Sequence, residues 1–137
     1  MQLTPLEIKL LLPPERLPRD EALRRFYLIW TLKEAYTKAL GSGLGFDFKR
    51  IEYDVPRDVV RIDGTVPTGW KFVRFDVARG EHTYVGIVAQ YIGEAVAGFE
   101  FREECIVEHR PAGDWLKVHD AAEFMQRAIQ ELRYVPK

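Results

Sequence analysis

The chain has 137 residues, 47% hydrophobic and 30% charged, with a formal net charge of −1. These proportions suit one soluble globular domain with a modest core and exclude a global attraction to nucleic acid or an anionic membrane, so any phosphate site must be local. Cys105 is the only cysteine, which excludes an internal disulfide and a multi-cysteine metal centre and makes a reducing compartment the natural home. His82, His109 and His119 are far apart in sequence and lack paired ligand spacing, and Ser42, the only serine, lacks a Gly-x-Ser-x-Gly setting. Acid, base and hard-metal chemistry remain.

Thr4-Pro5-Leu6-Glu7 combines an N-cap residue, a proline at the first helical position and an acid in the first turn. It predicts a short helix from Pro5 to Leu12, stopped by Pro13-Pro14. Leu10-Leu11-Leu12 is hemmed in by prolines and charges, which argues against a secretory or membrane segment and gives the cytoplasm as the expected location. A long helix is expected to open at Asp20 or in the segment before it and to run through Leu40, ended by Gly41-Ser42-Gly43-Leu44-Gly45. These glycines follow a helix, not a strand, so they suit a C-cap and turn better than a dinucleotide phosphate loop.

On a helical wheel Leu23, Tyr27, Trp30 and Glu34 fall within roughly 60° of one another, so the Glu34 carboxylate is expected among large apolar side chains. An unpaired carboxylate there would call for a cation, a proton or a strong donor. The plainer alternative is an i,i+4 pair of Glu34 with Lys38. Lys33, flanked on the wheel by Phe26, Ile29 and Leu40, is excused by its flexible stem, and Trp30 is expected to pack and fix the helix.

Beyond Gly45 the period changes to two. Arg50 to Val55, Val59 to Ile62, Lys71 to Val77 and His82 to Ala89 read as four strands of an antiparallel sheet, with turn chemistry at Asp63-Gly64 and Arg79-Gly80. The long helix can bury an apolar stripe on that sheet, an α+β arrangement. The pattern lapses from Tyr91 to Gly98. Cys105 to His109 and Trp115 to Val118 suggest two short strands, and a helix follows from Asp120 to about Leu132 with Ala121, Phe124, Met125, Ile129 and Leu132 on one face. The expected division is residues 1–95 as the main unit and 96–137 as an appendage packed on it.

The run Trp30-Thr31-Leu32-Lys33-Glu34-Ala35-Tyr36-Thr37-Lys38, followed by Ala39-Leu40-Gly41-Ser42-Gly43-Leu44-Gly45-Phe46 and Arg50-Ile51-Glu52, resembles the signature of the 4′-phosphopantetheinyl transferases of the larger, pseudo-dimeric class, eukaryotic members in particular. The resemblance implies Mg²⁺-dependent transfer of the phosphopantetheine arm of coenzyme A to a carrier-protein serine, with release of adenosine 3′,5′-bisphosphate. It gives Glu34 as metal ligand and catalytic residue. Lys33 and Lys38 are implied at the pyrophosphate, Lys38 as a catalytic residue as well. The implied partner is an apo acyl or peptidyl carrier protein, or a carrier domain of the aminoadipate-reductase type, and neither nucleic acid nor a membrane is expected.

The family's further acidic ligands come from a Gly-x-Asp-x-Glu/Asp-like strand ahead of the long helix, in a chain of two similar halves. No such motif stands here, and Ile62-Asp63-Gly64 lies downstream in a turn. The resemblance therefore corresponds to the C-terminal half of the full enzyme, and a partial domain is expected, awaiting its N-terminal half or a second subunit. The alternative from another class is a noncatalytic α+β module that binds carrier or partner proteins.

Overall fold

The structure, a computed structural model, describes residues 2–12, 15, 17–93 and 102–133. The Pro13-Pro14 stop, most of the lapse from Tyr91 to Gly98 and the expected boundary after residue 95 lie outside the described residues. Helix α1 spans Pro5–Leu11, and a reciprocal capping box starts it: the Glu7 amide donates to Thr4 Oγ1 and the Thr4 amide donates to the Glu7 carboxylate. Helix α2 spans the 22 residues Arg19–Leu40. It ends because Gly41 turns left-handed, at φ 70°, and its amide donates to the Thr37 and Lys38 carbonyls.

Two 3-10 turns, Gly43–Gly45 and Phe48–Arg50, lead into the strands β1 (Ile51–Asp54) and β2 (Val59–Ile62). Next come the long strands β3 (Trp70–Arg79) and β4 (His82–Tyr91), the two-residue strands β5 (Cys105–Ile106) and β6 (Glu108–His109), and helix α3 (Ala121–Arg133). The α+β class and the long helix against sheet are as expected. The strands divide into two three-stranded sheets, ordered β1-β2-β5 and β4-β3-β6. The β3–β4 hairpin is antiparallel from Trp70 opposite Tyr91 to Arg79 opposite His82, whereas β6 lies parallel to β3. Within the hairpin the Phe75 ring covers Gly86, where an added Cβ would collide with ring atoms.

The core lies between α2 and the two sheets. Leu28, Ile29, Leu32 and Tyr36 of α2 are buried with Ile51, Tyr53, Val60, Ile62 and Phe72, each fully buried aliphatic or aromatic side chain being worth about 1.5–3 kcal/mol. The inner face of α2 is thus opposite the stripe singled out from sequence. Leu23, Tyr27 and Trp30 are 48%, 49% and 44% exposed, and the expectation that Trp30 packs to fix the helix is corrected accordingly.

The segment after residue 101 is not one unit. Cys105 pairs through β5 with β2, β6 pairs with β3, and Cys105 and Val107 both enter the core. The predicted single strand over Cys105 to His109 is broken because the chain steps from one sheet to the other at Val107. Asp58 fastens this step from a left-handed backbone position at φ 54°. Its carbonyl accepts the Val107 amide at 2.8 Å, and its carboxylate accepts the Tyr53 hydroxyl at 2.6 Å and Arg74 at 3.2 Å while lying 2.7 Å from His109 Nε2.

Trp115 to Val118 is not a strand. Pro111-Ala112-Gly113-Asp114 turns the chain there, with the Leu116 amide on the Gly113 carbonyl and Trp115 Nε1 on the Pro111 carbonyl. Asp120 caps α3 by accepting the Ala122 and Glu123 amides at 3.0 and 3.1 Å. The apolar face of α3 is not packed: Phe124, Met125, Ile129 and Leu132 are all exposed. The short strands of this segment join the two sheets, whereas the apolar residues of α3 face outward.

Candidate active-site wall

Glu34 and Lys38 stand one turn apart on α2, and the 3.6-residue period puts both on the side facing the glycine turn. With Thr37, Gly41, Gly43 and Phe48 they line a recess of about 390 Å³. Glu34 is half-buried and Lys38 exposed. The i,i+4 pair expected as the plainer alternative does not form, and among the described residues neither side chain has an ion-pair partner. Gly41 and Gly43 hold φ 70° and 62°, and nothing lies within 4 Å of a Cβ built on either. The backbone conformation, not crowding, is what requires glycine there.

Lys33, the neighbour of Glu34 in sequence, has the opposite environment. Its side chain is 0% exposed. Its three ammonium protons go to Glu7 Oε2 at 2.7 Å, the Gln2 carbonyl at 2.9 Å and the Phe48 carbonyl at 3.0 Å. Glu7, also 0% exposed, takes the Tyr53 amide at 3.0 Å on its other oxygen and the Thr4 amide at 2.8 Å. An ammonium has three donors and no acceptor, so Lys33 has none left for a pyrophosphate. The expectation that Lys33 binds the cosubstrate is corrected on this geometry. Burial pulls the Lys33 pKa below the usual lysine value, and the hydrogen bond and charge of Glu7 oppose that shift.

The fully buried charge of α2 is therefore not Glu34. Lys33 is the ion sunk in the apolar face, and its counter-ion lies 26 residues upstream. The one sequence signal for Glu7 was the Thr-x-x-Glu spacing, which marks a helix start and carries no information about a tertiary partner.

A second depression, a groove of about 950 Å³, runs between α2 and the start of β4. Leu23, Tyr27, Trp30, Tyr84 and Val85 line it with Asp20, Arg24 and Glu81 at its margins. The exposed aromatic stripe of α2 thus continues onto the sheet.

The donors of the recess fit a hard cation in part. Glu34 offers a carboxylate with no counter-ion among the described residues, and Mg²⁺ usually takes one or two carboxylates together with substrate phosphates and waters. No group of three or more potential metal-ligating side chains occurs among the described residues, and no described helix is long and apolar enough to cross a membrane.

The family described as the 4′-phosphopantetheinyl transferase superfamily matches residues 1–88. A 4′-phosphopantetheinyl transferase, pptA, of Paxillus involutus is 50% identical over 116 residues, which cover 85% of this chain and 41% of the relative. A phosphopantetheinyl transferase of Thraustochytrium sp. is 31% identical over 96 residues, 60% of this chain and 33% of its own. An L-aminoadipate-semialdehyde dehydrogenase-phosphopantetheinyl transferase of Mus musculus is 33% identical over 79 residues, 50% of this chain and 25% of its own. No solved structure matches. The matched part is less than half the length of each of these relatives. With the motif from Trp30 to Lys38 on one helix and its glycine turn closing the recess beside it, the chain belongs to the 4′-phosphopantetheinyl transferase superfamily.

Proposed function

We propose that the chain supplies one wall of a 4′-phosphopantetheinyl transferase site, the opposite wall coming from an N-terminal half or a second subunit. The observation that carries this reading is the pair Glu34 and Lys38, which share a recess, carry opposite charge and have no partner among the described residues. In the proposed reaction a serine hydroxyl of an apo carrier protein attacks the pantetheine-bearing phosphorus of coenzyme A. A P–O bond forms, the P–O bond to the nucleotide side of the pyrophosphate breaks, and adenosine 3′,5′-bisphosphate leaves.

Glu34 would hold the divalent cation, Mg²⁺ by its preference for oxygen ligands. When bound, that ion neutralises pyrophosphate charge. Lys38 lines the same recess with an exposed side chain, and its ammonium offsets negative charge on the leaving group. The Glu34 carboxylate is also the acceptor nearest to hand on this wall for orienting the serine hydroxyl and taking its proton. Location in the cytoplasm, where coenzyme A and apo carrier proteins meet, belongs to the same proposal.

The exposed stripe of Leu23, Tyr27, Trp30 and Tyr84 suits burial against the other wall, since contiguous apolar surface beside a polar recess marks an interaction face. The test is to combine the chain with coenzyme A, Mg²⁺ and an apo carrier protein, with and without the N-terminal half of the Paxillus involutus relative, and follow the carrier's mass. Gain of one phosphopantetheine with the supplied half, lost in Glu34→Gln and Lys38→Ala, is the expected result. No gain even then overturns the catalytic reading.

The second reading, a noncatalytic module for carrier or partner proteins, is favoured by the lone carboxylate of the recess. Under it, carrier binding persists unchanged in Glu34→Gln and without Mg²⁺ or coenzyme A.

A further inference from the structure

We propose that Lys33 is a positioning residue for the Glu34–Lys38 recess: locked to Glu7, its ammonium grips the Phe48 carbonyl and so sets the recess wall that faces Glu34. This inference rests on the transferase reading of the recess and changes the part played in it by the first lysine of the motif.

Three observations carry it. Lys33 precedes Glu34 directly, yet about 100° around α2 from it the lysine side chain is fully buried. Its third proton does not stay within the ion pair but crosses to Phe48, a residue that lines the recess together with Glu34, Thr37 and Lys38. Glu7, which holds the ammonium, also accepts the amides of Thr4 and Tyr53. One buried carboxylate and one buried ammonium thereby join the N-terminal segment, α1, β1, α2 and the loop after the glycine turn.

Phe48 sits in a three-residue 3-10 turn, a conformation with poor hydrogen-bond geometry and little stiffness of its own. A carbonyl pinned at 3.0 Å by an ion that cannot move fixes where that turn stands. Partners that hold a site residue in place commonly matter as much as the groups they support. The same Lys33 residue accepts Thr37 Oγ1 on its backbone carbonyl at 2.9 Å, which ties a second recess residue to it.

The test compares Lys33→Met, Glu7→Gln and the double variant in the full 137-residue chain, by amide NMR and by titration with coenzyme A in the presence of Mg²⁺. Each single variant is expected to shift the amide signals of Phe48, Thr37 and Gly43 and to weaken coenzyme A binding at least about tenfold. The double variant should be no weaker than the weaker single, because one device has been removed twice. Val60→Ala, a core truncation in β2, controls for general destabilisation: it should leave those signals and the affinity in place. Glu7→Gln keeps size and an acceptor oxygen, so it carries the test if Lys33→Met does not fold.

The proposal is overturned if Lys33→Met weakens binding while the recess signals stay still and Glu7→Gln has no effect. It is equally overturned if coenzyme A shifts the Lys33 Nζ resonance as it shifts that of Lys38. Absence of coenzyme A binding by the unaltered chain even with the N-terminal half of the Paxillus involutus relative supplied counts against the transferase reading of the recess, while the signal shifts in the variants still decide the role of Lys33.

Discussion

Lys33 and Glu34 are neighbours in sequence with contrasting surroundings: one is fully buried and the other lines an open recess. On the inner face of α2 a lysine is sunk among Leu28, Ile29 and Leu32 with all its protons donated. On the outer face a glutamate and Lys38 border an open recess with their charges unmet among the described residues. The lesson is that a conspicuous charge in an apolar helix answers to two different demands. The inner one is an anchor, where satisfaction of every donor makes burial tolerable; the outer one has no ion-pair partner among the described residues, which is what a ligand needs.

The difference predicts a graded response to substitution. Lys33→Met leaves Glu7 buried without its counter-ion and is expected to cost about 3–5 kcal/mol in chemical unfolding; a loss below about 1 kcal/mol would dissolve the contrast between the faces. Leu32→Ala, which empties fully buried volume beside Lys33, should cost about 2–5 kcal/mol in the same assay. A smaller effect is expected from pH. Because burial lowers the Lys33 pKa in the folded chain, the unfolded chain holds more protons in the window below the usual lysine value. This group therefore makes stability rise as pH climbs through that window. The unfolding midpoint of the native chain, set against that of Lys33→Met, should move upward as pH rises toward the usual lysine value. Movement the other way would mean that the hydrogen bond and charge of Glu7 outweigh desolvation. Smallest of all, Glu34→Gln and Leu23→Ser on the outer face should change stability by less than about 1 kcal/mol, the first abolishing transfer in the reconstituted assay nonetheless.

Much of this fold was legible because local signals agreed with tertiary ones. Thr4, Pro5 and Glu7 start α1, Gly41 ends α2, and alternation places β1 to β4 within one to two residues at most ends. The motif from Trp30 to Lys38 led to the family and to Glu34 and Lys38 on one recess. What sequence misjudged were features decided by distant partners. The wheel found an apolar stripe and assigned it to the core, but α2 has apolar residues on both sides, and only the position of the sheets decides which is covered. Glu7 and Lys33 meet across 26 residues, a pairing that no local pattern encodes. Trp115 failed as a strand residue because the preceding Pro111-Ala112-Gly113-Asp114 turn competes successfully with alternation.

Val107, between two strands of two residues each, carries a consequence for how the chain can be cut. The family match stops at residue 88, a natural place to end a recombinant fragment. Such a fragment would lose Cys105 and Val107 from the core, strip β2 of its outer neighbour and leave the Asp58 carboxylate without His109. The smallest autonomous folding piece is thus longer than the evolutionary signature, and it extends at least through His109.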